Sequence, residues 1–337
     1  MPANLTPQYH KAEQAFREAT TNEDKIAALE EMLAVIPKHK GTDHLQADIK
    51  RRIKELSEEL EGPRKGGARG GPATAIHPEG AAQLVLLGPP NTGKSLLHSR
   101  LTGSHAAVAP YPFTTQYPEP GMLPWADVLF QLLDMPAISP EHPVPWLTST
   151  LQTAHACLLV ADLAEPSCVE QLQALREVLA QKRVTLIPHW PAAGAPAEAD
   201  EDPFAIRLPA LLLGNKADLV ADAEAELQAL REIAALDFPA MAVSAATGAG
   251  LGGLGAWLFQ ELAVLRVYTK TPGKPPEKQH PFTLRRGQSI EDVARLVHKD
   301  LAATLRYARL WHANGAGPQQ VGRDFRVADG DVVELHT

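Results

Sequence analysis

At 337 residues, with 45% hydrophobic and 21% charged side chains, the chain reads as a soluble globular protein of two or three domains. The net charge of −8, from 32 basic and 40 acidic residues, argues against global attraction to nucleic acid and leaves only local basic patches open. Two cysteines, Cys157 and Cys168, make no disulfide framework, and thirteen scattered histidines show no zinc spacing. No apolar run is long enough for a bilayer and no signal peptide is read, so a cytoplasmic protein with no membrane partner is expected.

Residues 8–61 are predicted helical. Ile26, Leu29, Leu33 and Ile36 recur at helical spacing up to Pro37. After Thr42, a candidate N-cap, Leu45, Ile49, Ile53, Leu56 and Leu60 form a second stripe. Two amphipathic helices with a short connection imply a helical hairpin over 1–61. Residues 62–80 begin Gly-Pro-Arg-Lys-Gly-Gly-Ala-Arg-Gly-Gly-Pro-Ala, a composition expected of a flexible linker.

From 81 to 265 the pattern alternates strand and helix, as in an open, mostly parallel α/β sheet covered on both faces. Strands are expected at 83–87, 127–133, 156–161, 183–187, 210–214 and 240–243; helices at 95–102, 167–181, 222–236 and 252–264. Residues 188–203 read as an acidic, proline-rich surface loop. Within this domain the apolar run Leu84–Leu87 precedes Gly88-Pro89-Pro90-Asn91-Thr92-Gly93-Lys94-Ser95, which opens a helix. Strand, glycine-bounded loop and helix are the context in which G-x-x-x-x-G-K-S binds phosphate: loop N–H groups and the helix dipole face the anion. Lys94 is then expected on the β/γ-phosphates and the Ser95 hydroxyl on Mg2+.

Asn215-Lys216-Ala217-Asp218 follows a later strand, at the end where open α/β sheets bind ligands. A carboxylate there accepts from guanine N1–H and the exocyclic amine, a donor pair that adenine lacks, so Asp218 selects GTP and GDP over ATP. Ser244-Ala245-Ala246 resembles the small-residue loop that closes over guanine. Leu132-Leu133-Asp134-Met135-Pro136-Ala137 resembles a D-x-x-G element, with Asp134 holding Mg2+ through water. Tyr111-Pro112-Phe113-Thr114-Thr115 resembles a first switch, and Thr115 is favoured over Thr114 as its contact to Mg2+ and γ-phosphate.

Residues 266–337 show short strand runs around one helix. Ser289 is its cap, and Asp292 stands where a capping box has Glu or Gln. A small α+β module is expected. It carries twelve basic and eight acidic residues, a balance of +4 within an acidic chain. Local phosphate attraction requires such an asymmetry.

Taken together, the phosphate loop, the stretch Ala109–Met122, Leu-Leu-Asp-Met-Pro and Asn-Lys-Ala-Asp resemble the Obg-related GTPases, most of all their developmentally regulated GTP-binding (DRG) branch. The tail, through Leu265-Arg-Val-Tyr-Thr-Lys, Leu284-Arg-Arg-Gly and Tyr307-Ala-Arg-Leu-Trp, is similar to the β-grasp TGS domain. The resemblance implies a Ras-like P-loop domain between a helical segment and TGS, and a translation-associated GTPase working on or near ribosomes. Partners to expect are the ribosome, rRNA or tRNA through the TGS-like module, and a dedicated protein partner. Asn91 resembles the asparagine with which some such GTPases coordinate K+; a K+ ligand and a mere brace for the loop both stand open. The residues expected to carry catalysis are Lys94, Thr115 and Asn91.

Three departures separate the chain from that branch. Ala137 replaces the D-x-x-G glycine. The second switch is proline-rich, Ile138-Ser-Pro-Glu-His-Pro-Val-Pro-Trp-Leu. The interval from Asp134 to Asn215 is too short for the small inserted domain of DRG proteins. Ile138, a hydrophobic substitution that the Obg-related GTPases share, cannot position a nucleophilic water. The expected activity is slow GTP hydrolysis raised by K+ or ribosomes; the alternative is a scaffold that binds GTP and barely hydrolyses it. An ATP-using kinase is disfavoured by Asp218.

Overall fold

The structure, a computed structural model, describes all residues except 1–5, 20, 38–41, 62–75, 104–116, 140–143, 145, 194–201, 203, 314 and 316. Contacts divide the chain into Met1–Ala73 with Glu201–Pro203, and a second unit of Thr74–Asp200 with Phe204–Thr337.

The first unit is helical: α1 (Pro7–Glu18), α2 (Asn22–Val35) and α3 (Asp43–Glu61). Thr6 and Thr21 cap α1 and α2 by accepting from Tyr9 N and Asp24 N. Helix α2 packs on both others, so the expected pair α2–α3 is preceded by a further helix. Its apolar stripe, Tyr9, Ala12 and Phe16, is buried alongside Leu29, Met32, Ile49 and Leu56. Thr42 stands just before α3, as the cap reading requires, and its hydroxyl donates to Pro37 O at 2.5 Å.

The second unit begins with β1 (Gln83–Leu87), α4 (Lys94–Thr102), β2 (Glu119–Trp125), β3 (Val128–Asp134), α5 (Leu147–Thr153), β4 (Ala156–Asp162), α6 (Cys168–Gln181) and β5 (Val184–Ile187). It continues with β6 (Ile206–Asn215), α7 (Ala223–Ile233), β7 (Ala240–Ala242) and α8 (Leu254–Glu261). The sheet order is β2-β3-β1-β4-β6-β5, with β7 also on β6; only β2 is antiparallel to its neighbour. Central strands are buried on both faces, so alternate residues feed two cores. Val85 and Leu87 pack with α5, α6 and α7, whereas Leu84 and Leu86 pack with α4 and α8. Each fully buried side chain contributes about 1.5–3 kcal/mol.

Four details depart from the sequence reading. Strand β2 and helix α5 were not expected. Helix α8 ends at Glu261, and a strand begins at Val264, before the expected 266. Trp190 is no surface residue: it is buried, 4.7 Å from the Trp257 ring, and donates to Ala210 O. Residues 76–80, expected in the linker, are bonded to the sheet: Gln83 Nε2 donates to Ile76 O and Gln131 Nε2 to His77 O.

The chain ends in β8 (Val264–Thr269), β9 (Glu277–Arg285), α9 (Ile290–Val297), α10 (Lys299–Thr304), β10 (Tyr307–Trp311), β11 (Gln319–Val321) and β12 (Asp331–His336). The sheet order β11-β10-β12-β8-β9, with β12 parallel to β8, is a β-grasp. Ser289 N donates to Asp292 Oδ2 at 2.8 Å, so Asp292 serves the cap as read.

Candidate nucleotide site

The loop between β1 and α4 has the backbone that its sequence demands. Gly93 has φ 88°, and a Cβ there would collide with the Asn215 carboxamide; one on Gly88 would strike Val160 O. Thr92 is buried, its hydroxyl donating to Pro89 O at 3.1 Å, while Pro90 is half-buried. Lys94 is buried and curls over its own loop, donating to Gly88 O at 3.0 Å and Pro89 O at 2.8 Å. Desolvation brings its pKa down to about 8 against the pull of Asp134. Ser95 Oγ donates to Asp134 Oδ2 at 2.5 Å. The hydroxyl and the carboxylate expected at Mg2+ thus meet where β1 and β3 end.

Asn91 has φ 61°, is exposed, and its side chain has no hydrogen-bond partner among the described residues. Thr115, with Tyr111–Thr114, lies outside the described residues, so no geometry is attached to the first-switch reading.

At the base side Asn215 is a bridge. Its Nδ2 donates to Thr92 O at 2.7 Å and its Oδ1 accepts from Ala245 N at 2.9 Å, tying phosphate loop to base loop. Lys216 adopts φ 62° and is ion-paired with Asp162. Asp218 Oδ1 accepts from Ser244 Oγ at 2.5 Å, and Ser244 Oγ in turn accepts from Thr247 N. The structure therefore gathers the phosphate-loop residues, Asp134, Asn215, Lys216, Asp218 and Ser244–Ala246 at the carboxyl ends of β1, β3, β6 and β7.

Two supports escaped the sequence reading. Asp162, the last residue of β4, holds Lys216; its position at a strand end was the available signal. Arg100, on α4, donates to Ala246 O at 2.6 Å and fastens the base loop. Nothing local in the sequence marks that pair. Ala137 is buried and is not among the residues with positive φ, so alanine sits there without the strain that would call for glycine. Ile138 belongs to the apolar core and offers water nothing.

The β2–β3 hairpin, which ends at Asp134, is fixed at its tip to β8. Arg266 Nη1 donates to Asp127 Oδ1 at 3.1 Å, and Tyr268 Oη donates to Asp127 Oδ2. Arg266 also grips Asp329 through Nε at 3.0 Å and Nη2 at 2.7 Å, and lies 5.2 Å above the Phe259 ring. Burial raises the pKa of Asp127, but the bonds from Tyr268 and Arg266 outweigh it and hold the carboxyl below its usual value.

Residues 83–189 match the family described as 50S ribosome-binding GTPase, and residues 265–337 match the TGS domain. The chain is 27% identical to an uncharacterized GTP-binding protein of Halobacterium salinarum, over 93% of this chain and 98% of that protein. It is 24% identical to developmentally-regulated G-protein 1 of Arabidopsis thaliana, over 93% and 90%. The chain carries a GTPase domain and a C-terminal TGS domain, and over most of its length it is similar to the DRG proteins. The YchF GTPase of Schizosaccharomyces pombe shares the fold, with a TM-score of 0.53 at 11% identity over 77% of this chain and 99% of that one. As a GTPase of this kind, the DRG-like protein binds guanine nucleotides. Among its described residues no helix is long and apolar enough to cross a membrane.

Proposed function

We propose that this GTPase is a Mg2+-dependent regulatory switch that acts at the ribosome, in the cytoplasm, and hydrolyses GTP slowly. The observation that carries the nucleotide chemistry is the convergence of Lys94, Ser95, Asp134, Asn215 and Asp218 at the carboxyl ends of β1, β3 and β6. In this reading the N–H groups of Gly88–Ser95 wrap the phosphates, and Lys94 leaves Gly88 O and Pro89 O for the β/γ oxygens. Ser95, Asp134 and Thr115 would hold Mg2+; an adjoining hydroxyl and carboxylate form the hard oxygen set that this ion prefers. When bound, Mg2+ neutralises charge on the phosphate oxygens. Asp218 takes guanine N1–H and its amine while Ser244, Ala245 and Ala246 close the base pocket.

Ile138 leaves no side chain to orient water, so catalysis rests on positioning by Lys94 and Thr115 and on charge beside the phosphates. Asn91, exposed and with no side-chain hydrogen-bond partner among the described residues, favours K+ coordination over bracing. Ribosome association is supported by the match to a family of 50S ribosome-binding GTPases and by the basic TGS segment. A dedicated protein partner fits the exposed faces of α1–α3. The scaffold reading draws on the proline-rich stretch after Ala137, whose residues 140–143 and 145 lie outside the described ones. Cosedimentation with ribosomes, in a non-hydrolysable GTP analogue against GDP, tests the switch. Retention with the analogue and release with GDP is expected; equal retention, or none, contradicts it.

A further inference from the structure

The β-grasp sheet has a filled face and an open one. Val267, Leu284, Ala308, Leu310 and Val333 form a core with α9 and α10. By strand alternation the opposite face presents Arg266, Tyr268 and Arg285 on β8–β9, and Tyr307, Arg309, Trp311, Glu334 and His336 on β10 and β12. The GTPase domain occupies the first half: Arg266 and Tyr268 bond to Asp127, and Arg285 Nη2 donates to Ala81 O at 2.7 Å. No described residue of that domain forms a hydrogen bond, ion pair or ring contact with the second half.

That second half is built for planar, anionic polymers. Tyr307 and His336, paired across β10 and β12, stack at 4.5 Å with 9° between their planes. The Lys270 ammonium lies 4.3 Å over the Trp311 ring. Between these stations Arg309 is half exposed, its side chain at 51%. Glu334 lies beneath, buried, with Lys270 at 3.4 Å, Arg309 at 3.8 Å and His336 at 2.8 Å. The outward groups are therefore rings and cations, with the anion submerged. Tyr307 and Trp311 are four residues apart, about 13 Å along a strand, so the two ring stations are separated by more than one stacked base.

We propose that the β10–β12 half-face binds single-stranded RNA, stacking bases at Tyr307–His336 and at Trp311 while Arg309 and Lys270 meet phosphates. This rests on the ribosome reading above and names its contact surface. Duplex RNA hides its base faces, whereas single strands offer them to aromatic rings. The +4 balance of 265–337 in a chain of −8 supplies the attraction that an RNA backbone needs.

The test uses the full-length protein and fluorescence anisotropy of a labelled oligouridylate dodecamer at two salt concentrations. Trp311→Ala should weaken binding about tenfold, and Arg309→Glu at least as much with a flatter salt dependence. Trp311→Phe should retain most of it. Unchanged GDP affinity and unfolding temperature show that the variants fold. No binding of oligouridylate, or equal binding by all variants, overturns the proposal. Ribosome cosedimentation separates the two readings. If the wild type sediments and both variants do too, without oligouridylate binding, the RNA face falls and the ribosome reading stands. If sedimentation is lost in the variants while oligouridylate never binds, the face takes a protein and the RNA proposal is again overturned. Oligouridylate binding lost in the variants, with no ribosome binding by the wild type, keeps the RNA face and removes the ribosome.

Discussion

Ser95 Oγ donates to Asp134 Oδ2 at 2.5 Å, across 39 residues of sequence. The phosphate loop and the strand leading to the second switch thus share one contact at the point where a divalent ion would enter. An ion there would take both oxygens, and the direct bond would give way to coordination. Asp134→Asn removes the charge and keeps the size. GTP affinity of the wild type should rise when Mg2+ replaces chelator, and that gain should largely vanish in the variant. Titration with a fluorescent GTP analogue in Mg2+ and in EDTA reads this directly; an unchanged gain would remove Asp134 from the site.

Asp218 accepts from Ser244 Oγ, which also holds Thr247 N, so the carboxylate is oriented before any base arrives. Asp218→Asn should lower GTP affinity roughly 10- to 150-fold, the range for a bond to a charged group, and shift preference toward xanthine nucleotides. Competition between GTP and XTP checks it. Unaltered GTP affinity would mean that another group reads the base.

Burial lowers Lys94 to about pKa 8 from an ordinary value near 10.5. Phosphate would restore the charged form, so the bound pKa lies above the free one. Between the two values nucleotide binding takes up a proton, and affinity falls as pH rises through about 8. Without nucleotide the sign is set by the unfolded chain, which holds more protons between pH 8 and 10.5; stability should therefore climb across that window. Calorimetry at pH 8.5 in buffers of different ionisation enthalpy measures the uptake. No buffer dependence would contradict it.

Much of this site was legible because its parts are short and governed by the backbone. Gly88 and Gly93 sit where a Cβ would collide, and Asn215–Asp218 follows the apolar run Ala210–Leu213 of β6. Strand β2 was not legible: Pro120, Gly121 and Pro124 argue against a strand, yet it is an edge strand, where proline is tolerated. Trp190 was hidden among alanines, prolines and acids, and only its packing on Trp257 makes it core. The grip of Arg266 on Asp127 spans 139 residues, and no local pattern announces it.

That grip predicts a mechanical link. Arg266→Ala removes bonds to Asp127 and Asp329 and a cation over Phe259, and should cost about 2 kcal/mol of stability. Because Asp127 and Asp329 are held below their usual pKa, this contribution is present at neutral pH and lost as acid protonates them. Denaturant midpoints of wild type and variant should accordingly converge on acidification. A gap that persists in acid would assign the loss to packing alone.

A working guanine-nucleotide switch at the ribosome releases phosphate from GTP under multiple turnover, and that release is the measurement to make first. The assay compares KCl with NaCl, with and without ribosomes, beside Ala137→Gly. Turnover above background, raised by K+ and by ribosomes, is expected, with the glycine variant close to wild type, since Ala137 is unstrained. Tight GTP binding with no turnover under any condition, but turnover restored by Ala137→Gly, would contradict it and leave a GTP-binding scaffold.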